Sequence, residues 1–209
     1  MKTTKLQLQQ LIQEAFNQVL LEKKFDPRIL DQMNFASQEL MINHLRTKVK
    51  LPLLGQGSAR AVFLLDSKRV LKVAKDELGT SQNMGEVGNS DSPIVAKVFA
   101  HSLKSEWIVS ELVKPIQSET EFQALTQTNW NAFASAIASF NKRTKPNELE
   151  GSEFTRTVIS ALMSMKSPLV KSELLNISHW GKTPDQRVVL LDYGFTEEVK
   201  QNFYGGYGE

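Results

Sequence analysis

Residues 54–74 read LGQGSARAVFLLDSKRVLKVA and carry the strongest structural signal of the chain. β-Branched and aliphatic residues predict strands at Ala61–Leu65 and Val70–Ala74, which the turn Asp66-Ser67-Lys68 connects. A strand at Lys50–Leu54 precedes them, separated by a short turn that contains two glycines. Because strands with such short connections pair with their neighbours, the sequence predicts an antiparallel meander here.

Two further strands are predicted after the meander, at Ile94–Phe99 and Trp107–Leu112. Before them, residues 82–87 have the composition of a loop or a short helix, closed by helix-breaking residues at 89–93. The pattern therefore predicts five strands with one helical insertion. A last strand, Arg187–Leu191, leads into Asp192-Tyr193-Gly194 near the C-terminus.

Helical periodicity dominates the remainder of the chain. It predicts one helix at Leu6–Leu21 and a second from Asp26 to about Lys48, which together would form a hairpin. Two more helices are predicted from Ser118 to Phe140 and from Ser152 to Met163. The glycine-rich last residues have no periodicity, so we expect a mobile tail.

Composition excludes several classes of protein. Of the 209 residues, 41% are hydrophobic and 23% charged, as in an average globular domain, which argues against a disordered or fibrous chain. The net charge is only +2, and basic and aromatic residues do not interleave, so neither nucleic acid nor a membrane is an expected partner. The absence of cysteine and of an apolar leader predicts a cytoplasmic protein.

The turn Gly55-Gln56-Gly57-Ser58 lies between the first two predicted strands. Glycine lets a backbone approach a ligand closely, and backbone amides in such a turn are suited to phosphate oxygens. A plain tight turn has the same composition, so the local pattern leaves both interpretations open.

Lys72 is a charged residue in an otherwise apolar strand. An inward-facing ammonium would need an anionic partner or a ligand, and Glu86 on the following segment is a candidate partner. Strand alternation also permits an outward, solvated lysine. Lys75 lies three positions along the chain and would face the opposite side of the sheet from Lys72, so only one of the two lysines can point into the cleft.

Asp192 stands at the end of the last predicted strand. A carboxylate at this position can project into a cleft, where a hard cation bridges it to phosphate groups. Strand-end aspartates also serve as turn formers, so this residue type alone does not decide between the two roles.

The order of these features resembles the protein-kinase-like superfamily, over about Leu54 to Phe195. Residues 55–60 with Gln82, Asn83 and Glu86 resemble, more narrowly, small kinase-like proteins of tailed bacteriophages. The resemblance implies an α+β, two-lobed fold with a five-stranded antiparallel N-lobe sheet. The implied segments are a helical hairpin at 1–48, the N-lobe at 49–114, a reduced helical C-lobe at 115–200 and a tail at 201–209.

The resemblance also implies ATP as cofactor, together with Mg²⁺ or Mn²⁺. By this resemblance, Gly55, Gly57 and Ser58 would cover the nucleotide phosphates, and Lys72 would contact them. Glu86 would orient Lys72, and Asp192 would bind the metal ion. The hinge that binds adenine would be formed by Glu111, Leu112 and Val113.

The catalytic loop departs from the family pattern. The family spacing before Asp192 gives Leu174 in place of the aspartate base and His179 in place of the asparagine metal ligand. A loop longer by one residue would give Glu173 as base. We expect Glu173 and His179 to line the site, with Asn176 as another candidate ligand. The alternative is a degenerate loop without chemistry.

Two further departures concern Arg60 and the C-terminal lobe. Arg60 replaces the third loop glycine, which narrows the pocket or adds a phosphate contact. The sequence ends 17 residues after Asp192, so the helices that dock protein substrates are expected to be absent. We hypothesise that the N-terminal hairpin packs on the C-terminal helices and replaces part of that lobe.

Three functions are compatible with this pattern. The first is an ATP- and magnesium-dependent phosphotransferase that acts on a protein or a small molecule. The second is a pseudokinase, a nucleotide-binding or structural module that interacts with a protein partner. The third is the transfer of AMP instead of phosphate.

Overall fold

The structure, a computed structural model, describes residues 25–140 and 151–205. The predicted helix Leu6–Leu21 lies outside these residues. The second predicted helix is interrupted: α1 spans Ile29–Gln32, and α2 spans Gln38–His44 and continues as a π-helical turn at Leu45–Val49. The interruption arises because Met33 is extended and Ser37 begins a new helix, its hydroxyl accepting from the Leu40 amide.

Five antiparallel strands form the first sheet in the order β1-β2-β3-β5-β4, which confirms the predicted five-stranded sheet. The helical insertion is α3, Glu77–Asn89, which is longer than the predicted segment because Asp76 caps it through the Gly79 amide. The strands are β1 at Leu53–Gln56, β2 at Arg60–Leu64, β3 at Arg69–Ala74, β4 at Val98–His101 and β5 at Trp107–Glu111.

The N-terminal segment, residues 25–49, packs on this sheet and not on the C-terminal helices, which corrects our hypothesis about its position. Its buried side chains join one cluster with the strands, and the Trp107 indole donates a hydrogen bond of 2.9 Å to Asp31. This cluster includes Leu30, Met41, Leu45, Phe63, Leu71 and Val73. Strand β3 is consequently buried on both faces, with Leu71 towards the N-terminal segment and Lys72 towards the cleft.

The C-terminal part consists of short helices around a small sheet. One predicted helix, Ser118 to Phe140, is divided in two, because Gln127 is left-handed and Asn129 caps a new helix. Residues 201–204, predicted to lie in a mobile tail, belong instead to the last helix. The elements are β6 at Lys114–Pro115, α4 at Glu119–Thr126, α5 at Trp130–Ser139, α6 at Glu153–Ser164, α7 at Lys171–Leu174, a 3₁₀ turn at Ile177–His179, β7 at Trp180–Lys182, β8 at Val188–Leu190 and α8 at Glu197–Tyr204.

An aromatic cluster fills the core of this second lobe. Trp180 from β7 is fully buried, and its indole donates to the Leu174 carbonyl at 3.0 Å. Edge-to-face contacts join it to helix side chains, with ring centroids 5.4 to 6.3 Å apart. The helix partners are Phe122, Phe133 and Phe154.

Backbone hydrogen bonds connect the two lobes. Residues 94–96, predicted to start the fourth strand, pair instead with β8: the Ala96 amide donates to Leu190, and the Leu190 amide donates to Ile94, each at 2.8 Å. The strand before Asp192 is therefore held directly against the N-lobe. Among residues 25–140 and 151–205, no helix has the length and apolarity that crossing a membrane would require.

We predict that Gly79→Ala destabilises the protein, whereas Gly88→Ala in the same helix does not. A Cβ at Gly79 would lie 2.1 Å from the Ala59 carbonyl oxygen, but one at Gly88 meets only the Ser167 hydroxyl at 3.8 Å. The expected loss for Gly79→Ala is about 1–3 kcal/mol of unfolding free energy. Urea denaturation measures both variants, and equal stability of the two would contradict this packing of α3 on β2.

Candidate functional site

A cleft with a cavity of about 770 Å³ lies between the β1–β2 hairpin, β3, the segment after β5 and the residues after β8. The structure brings the Lys72 and Asp192 side chains, more than 100 residues apart in sequence, to this one cleft. The predicted site residues that line it are Gly55, Gly57, Ser58, Lys72, Glu111, Val113 and Asp192.

Lys72 is the inward-facing lysine of β3. Its ammonium donates to both carboxylate oxygens of Glu86 and to the Leu191 carbonyl, each at 2.8 Å. Glu86 on α3 has no exposed surface. Lys75, the alternative, lies at the hairpin, where its ammonium donates to the Gly57 carbonyl at 3.1 Å. The structure therefore selects Lys72 as the lysine inside the cleft.

Arg60, the first residue of β2, is a central residue of the site. One of its terminal nitrogens donates to Glu86 at 2.6 Å and to Asn83 at 3.2 Å, and the other donates to Asp192. The side chain is 7% exposed. From the sequence, Arg60 was expected to narrow the pocket or to contact a phosphate, but its contacts with Glu86, Asn83 and Asp192 were not predicted. Its two carboxylate partners lie 26 and 132 residues away, so no local pattern indicates the contacts.

Opposite charges determine the protonation states in this cluster. Burial alone would lower the pKa of Arg60, but the charges of Glu86 and Asp192 outweigh burial and raise it. Burial likewise would raise the pKa of Asp192, but Arg60, Lys72 and His179 together lower it. Arg60 is therefore cationic and Asp192 anionic at neutral pH.

Two glycines bring α3 and the Asp192-Tyr193-Gly194 segment into close contact. A Cβ at Gly194 would lie 2.4 Å from the Gln82 carbonyl oxygen, and one at Gly85 would lie 3.0 Å from the Gly194 carbonyl oxygen. A larger residue at either position would separate the helix from the segment. This contact fixes the distance between Glu86 and Asp192.

The hairpin glycines are not required by packing. A Cβ at Gly55 would meet no atom within 4 Å, and one at Gly57 would meet only the Arg60 carbonyl, at 3.9 Å. Neither residue has a positive φ. The space beside both glycines is therefore open, as close approach of a ligand to the backbone would require.

The segment after β5, predicted to be the hinge, borders the cavity. Arg187 donates twice to the Glu111 carboxylate, at 2.8 and 2.7 Å, so the Glu111 side chain holds the end of β5 close to the start of β8. The Leu112 amide donates to the Lys68 carbonyl at 2.7 Å. The Val113 amide has no acceptor among the residues that the structure describes, and Val113 lines the cavity.

The catalytic-loop residues form a cluster of their own that does not line the cavity. His179 Nδ1 lies 3.1 Å from a Glu173 carboxylate oxygen, and its Nε2 lies 3.0 Å from the Asn176 amide nitrogen. Asn176 Oδ1 accepts from both the amide and the hydroxyl of Ser178. The Glu173 contact raises the pKa of His179. Leu174, at the family's base position, is buried.

The donor atoms do not fit a magnesium site. Mg²⁺ requires several oxygen ligands in octahedral geometry, but Arg60 engages Asp192 Oδ1, which leaves Oδ2 of that side chain, and the Asn176 oxygen is bound by Ser178. Both ring nitrogens of His179 face other side chains. Within 25–140 and 151–205, no group of three acidic or histidine side chains could hold a metal ion.

Tyr193 anchors the segment that carries Asp192. Its ring is fully buried, and its hydroxyl donates to the Ala96 carbonyl at 2.5 Å. Burial raises the pKa of the phenol, so it remains a donor. The tyrosine thus adds a second connection between the lobes beside the backbone pairing of β8.

The five antiparallel strands, the pairing of a strand lysine with a helix glutamate and the aspartate across the cleft define a protein-kinase-like fold. No protein-family model and no curated protein matches the chain.

Two solved structures are similar to the chain in fold. One is APH(2")-IIa in a ternary complex with streptomycin and ATP, at 14% identity and a TM-score of 0.39, covering 78% of this chain and 72% of that one. The other is the aminoglycoside phosphotransferase APH(2'')-Ib bound to ADP, at 15% identity and a TM-score of 0.40, covering 75% and 70%. Both similarities are remote, and the assignment of the fold rests on the topology and contacts described above.

We predict that Tyr193→Phe lowers the unfolding free energy by about 0.5–1.5 kcal/mol, because it removes a buried hydrogen bond to Ala96. Tyr204→Phe is the matched control, since Tyr204 is exposed on α8. Chemical denaturation of both variants measures the difference. A Tyr193→Phe protein as stable as Tyr204→Phe would show that the hydroxyl does not stabilise the junction of the lobes.

Proposed function

We propose that the cleft binds a nucleoside triphosphate, with the base at the hinge and the phosphates beneath the glycine hairpin. The observation that carries this proposal is the meeting of Lys72, Arg60 and Asp192 in a single cavity under the open hairpin. Cations beside a glycine turn suit a polyphosphate, because they attract its negative charge and any free N–H group can donate a charge-assisted hydrogen bond to its oxygens.

The other end of the cavity suits a purine base. Val62, Val70 and Leu191 supply apolar walls, and the Val113 amide is a hydrogen-bond donor at the edge. A flat aromatic base needs such a combination of apolar faces and a few polar groups at its rim. The cavity therefore has an apolar end at the hinge and a cationic end at the hairpin.

Phosphoryl transfer is the second candidate function, and the position of Glu173 favours it. Glu173 contacts His179, and the His179 carbonyl accepts from the Leu191 amide at 2.9 Å, directly before Asp192. In this reaction a hydroxyl of a protein or small molecule attacks the terminal phosphorus, its proton passes to Glu173, and the nucleoside diphosphate leaves.

Two alternatives lack this step. A protein that binds the nucleotide without transferring phosphate is a pseudokinase, and a protein that transfers AMP in place of phosphate is the third alternative.

Binding is tested by calorimetry with ATP on the unaltered chain and on Gly57→Asp. The substitution places a carboxylate beside the phosphates where a Cβ is sterically free, so we expect at least tenfold weaker binding with little change in melting temperature. Gln123→Glu, which adds the same charge on the exposed face of α4, should bind within twofold of the unaltered chain. Absence of ATP binding by the unaltered chain would refute the proposal.

Transfer is tested by intact mass and nucleoside diphosphate release after incubation with ATP. If phosphate is transferred, Asp192→Ala should abolish it and Lys72→Ala should reduce it strongly, because both side chains contact the cluster under the phosphates. Glu173→Gln should stop turnover while ATP still binds, whereas Glu153→Gln, on the exposed start of α6, should have no effect.

The mass of any adduct distinguishes the alternatives. A phosphate-sized adduct supports phosphoryl transfer, an AMP-sized adduct supports nucleotidyl transfer, and binding without an adduct or turnover supports the pseudokinase. Full turnover in Glu173→Gln would exclude Glu173 as the base.

A further inference from the structure

We propose that Arg60 takes the place of a divalent cation at Asp192, so that the cleft binds a nucleoside triphosphate without metal. The inference rests on the proposed nucleotide site and concerns which groups of that site contact the phosphates. It follows from three features of the cleft: the saturation of Lys72, the free donors of Arg60 and the charge balance of the cluster.

Lys72 has no donor left for a phosphate. A lysine ammonium has three N–H groups, and those of Lys72 have three acceptors, the two Glu86 oxygens and the Leu191 carbonyl. A phosphate contact from Lys72 would require the loss of one of these bonds. The main role of Lys72 in this arrangement is therefore to hold α3 and the Leu191-Asp192 segment together.

Arg60, in contrast, retains donors. A guanidinium has five N–H groups in a planar fork, and Asn83, Glu86 and Asp192 accept from three of them. The Nε–H and one terminal N–H have no acceptor in the part of the chain that the structure describes. Arg60 lines the cavity beneath the hairpin, where a fork of this kind matches two phosphate oxygens.

The charges of the cluster balance without a metal ion. Arg60 and Lys72 are two cations, and Glu86 and Asp192 are two anions joined to them. A divalent ion that used Asp192 Oδ1 would have to displace Arg60, which would leave a 7% exposed guanidinium beside a fully buried Glu86 with one contact fewer. Removing a partner from a buried charge is costly, so the arginine opposes metal entry.

Other residues keep Arg60 in this position. Its backbone pairs with Ala74 in the β2–β3 ladder, and Asn83 accepts from its guanidinium. Asn83 is itself fixed, because its amide nitrogen donates to the Ser105 carbonyl at 2.8 Å. The arginine is thus part of the folded framework and not a side chain that samples solvent.

The test is the dissociation constant of ATP, measured by calorimetry on the full chain in excess EDTA and again in excess MgCl₂. We expect the two values to agree within about threefold. Binding that weakens more than tenfold in EDTA would overturn the inference while leaving the nucleotide site intact. No binding in either buffer would refute the proposed function and, with it, this inference.

Variants of Arg60 give a second readout. Arg60→Ala should bind ATP at least tenfold more weakly in EDTA and recover part of this loss in MgCl₂, because Asp192 then becomes free to hold the ion. Arg60→Lys keeps the charge but not the fork, so an intermediate loss is expected. Arg69→Ala, which removes a partly exposed arginine outside the cavity, should retain the metal-independent binding of the unaltered chain.

Circular dichroism checks that each variant is folded. If Arg60→Ala does not fold, the comparison of the unaltered chain in EDTA and MgCl₂ still decides the matter, together with Arg60→Lys. An Arg60→Ala protein that is folded and binds ATP in EDTA as tightly as the unaltered chain would contradict the role of the arginine.

Discussion

The Glu86 carboxylate lies at the centre of this structure, without exposed surface, and accepts hydrogen bonds from two cations of the sheet. A buried carboxylate is tolerated only when its charge and its lone pairs are satisfied, so Lys72 and Arg60 must both face α3. Because Arg60 also contacts Asp192, the same constraint extends to the C-terminal lobe. Helix, sheet and strand-end aspartate are thereby held around one ionic cluster.

The two lobes are also connected by backbone pairing and by a buried tyrosine, in addition to this ionic cluster. β8 pairs with residues 94–96, and Tyr193 donates to the Ala96 carbonyl from inside the core. Close contact of Gly85 and Gly194 allows α3 to approach the same segment. Packing and backbone hydrogen bonds therefore hold the lobes together alongside the ionic cluster.

The chain combines the kinase-like fold with differences in the residues that would bind the metal ion and transfer the proton. The lysine–glutamate pair, the segment after β5 and the glycine hairpin lie around one cleft. In the described part of the chain, no group of oxygen ligands that could hold magnesium assembles, and an arginine contacts the aspartate. The Glu173–His179 pair lies one backbone hydrogen bond from the Asp192 strand and remains the candidate for proton transfer.

Local sequence patterns were sufficient for the five strands of the first sheet, apart from the start of the fourth, and for the glycine turn, because strand alternation and turn composition act over a few neighbouring residues. They failed for α3, whose start depends on the Asp76 cap, and for the helix break at Gln127. The orientation of Lys72, the packing of the N-terminal segment and the contacts of Arg60 all depend on residues distant in sequence. Burial and charge pairing settle such choices, and both exist only once the chain has folded.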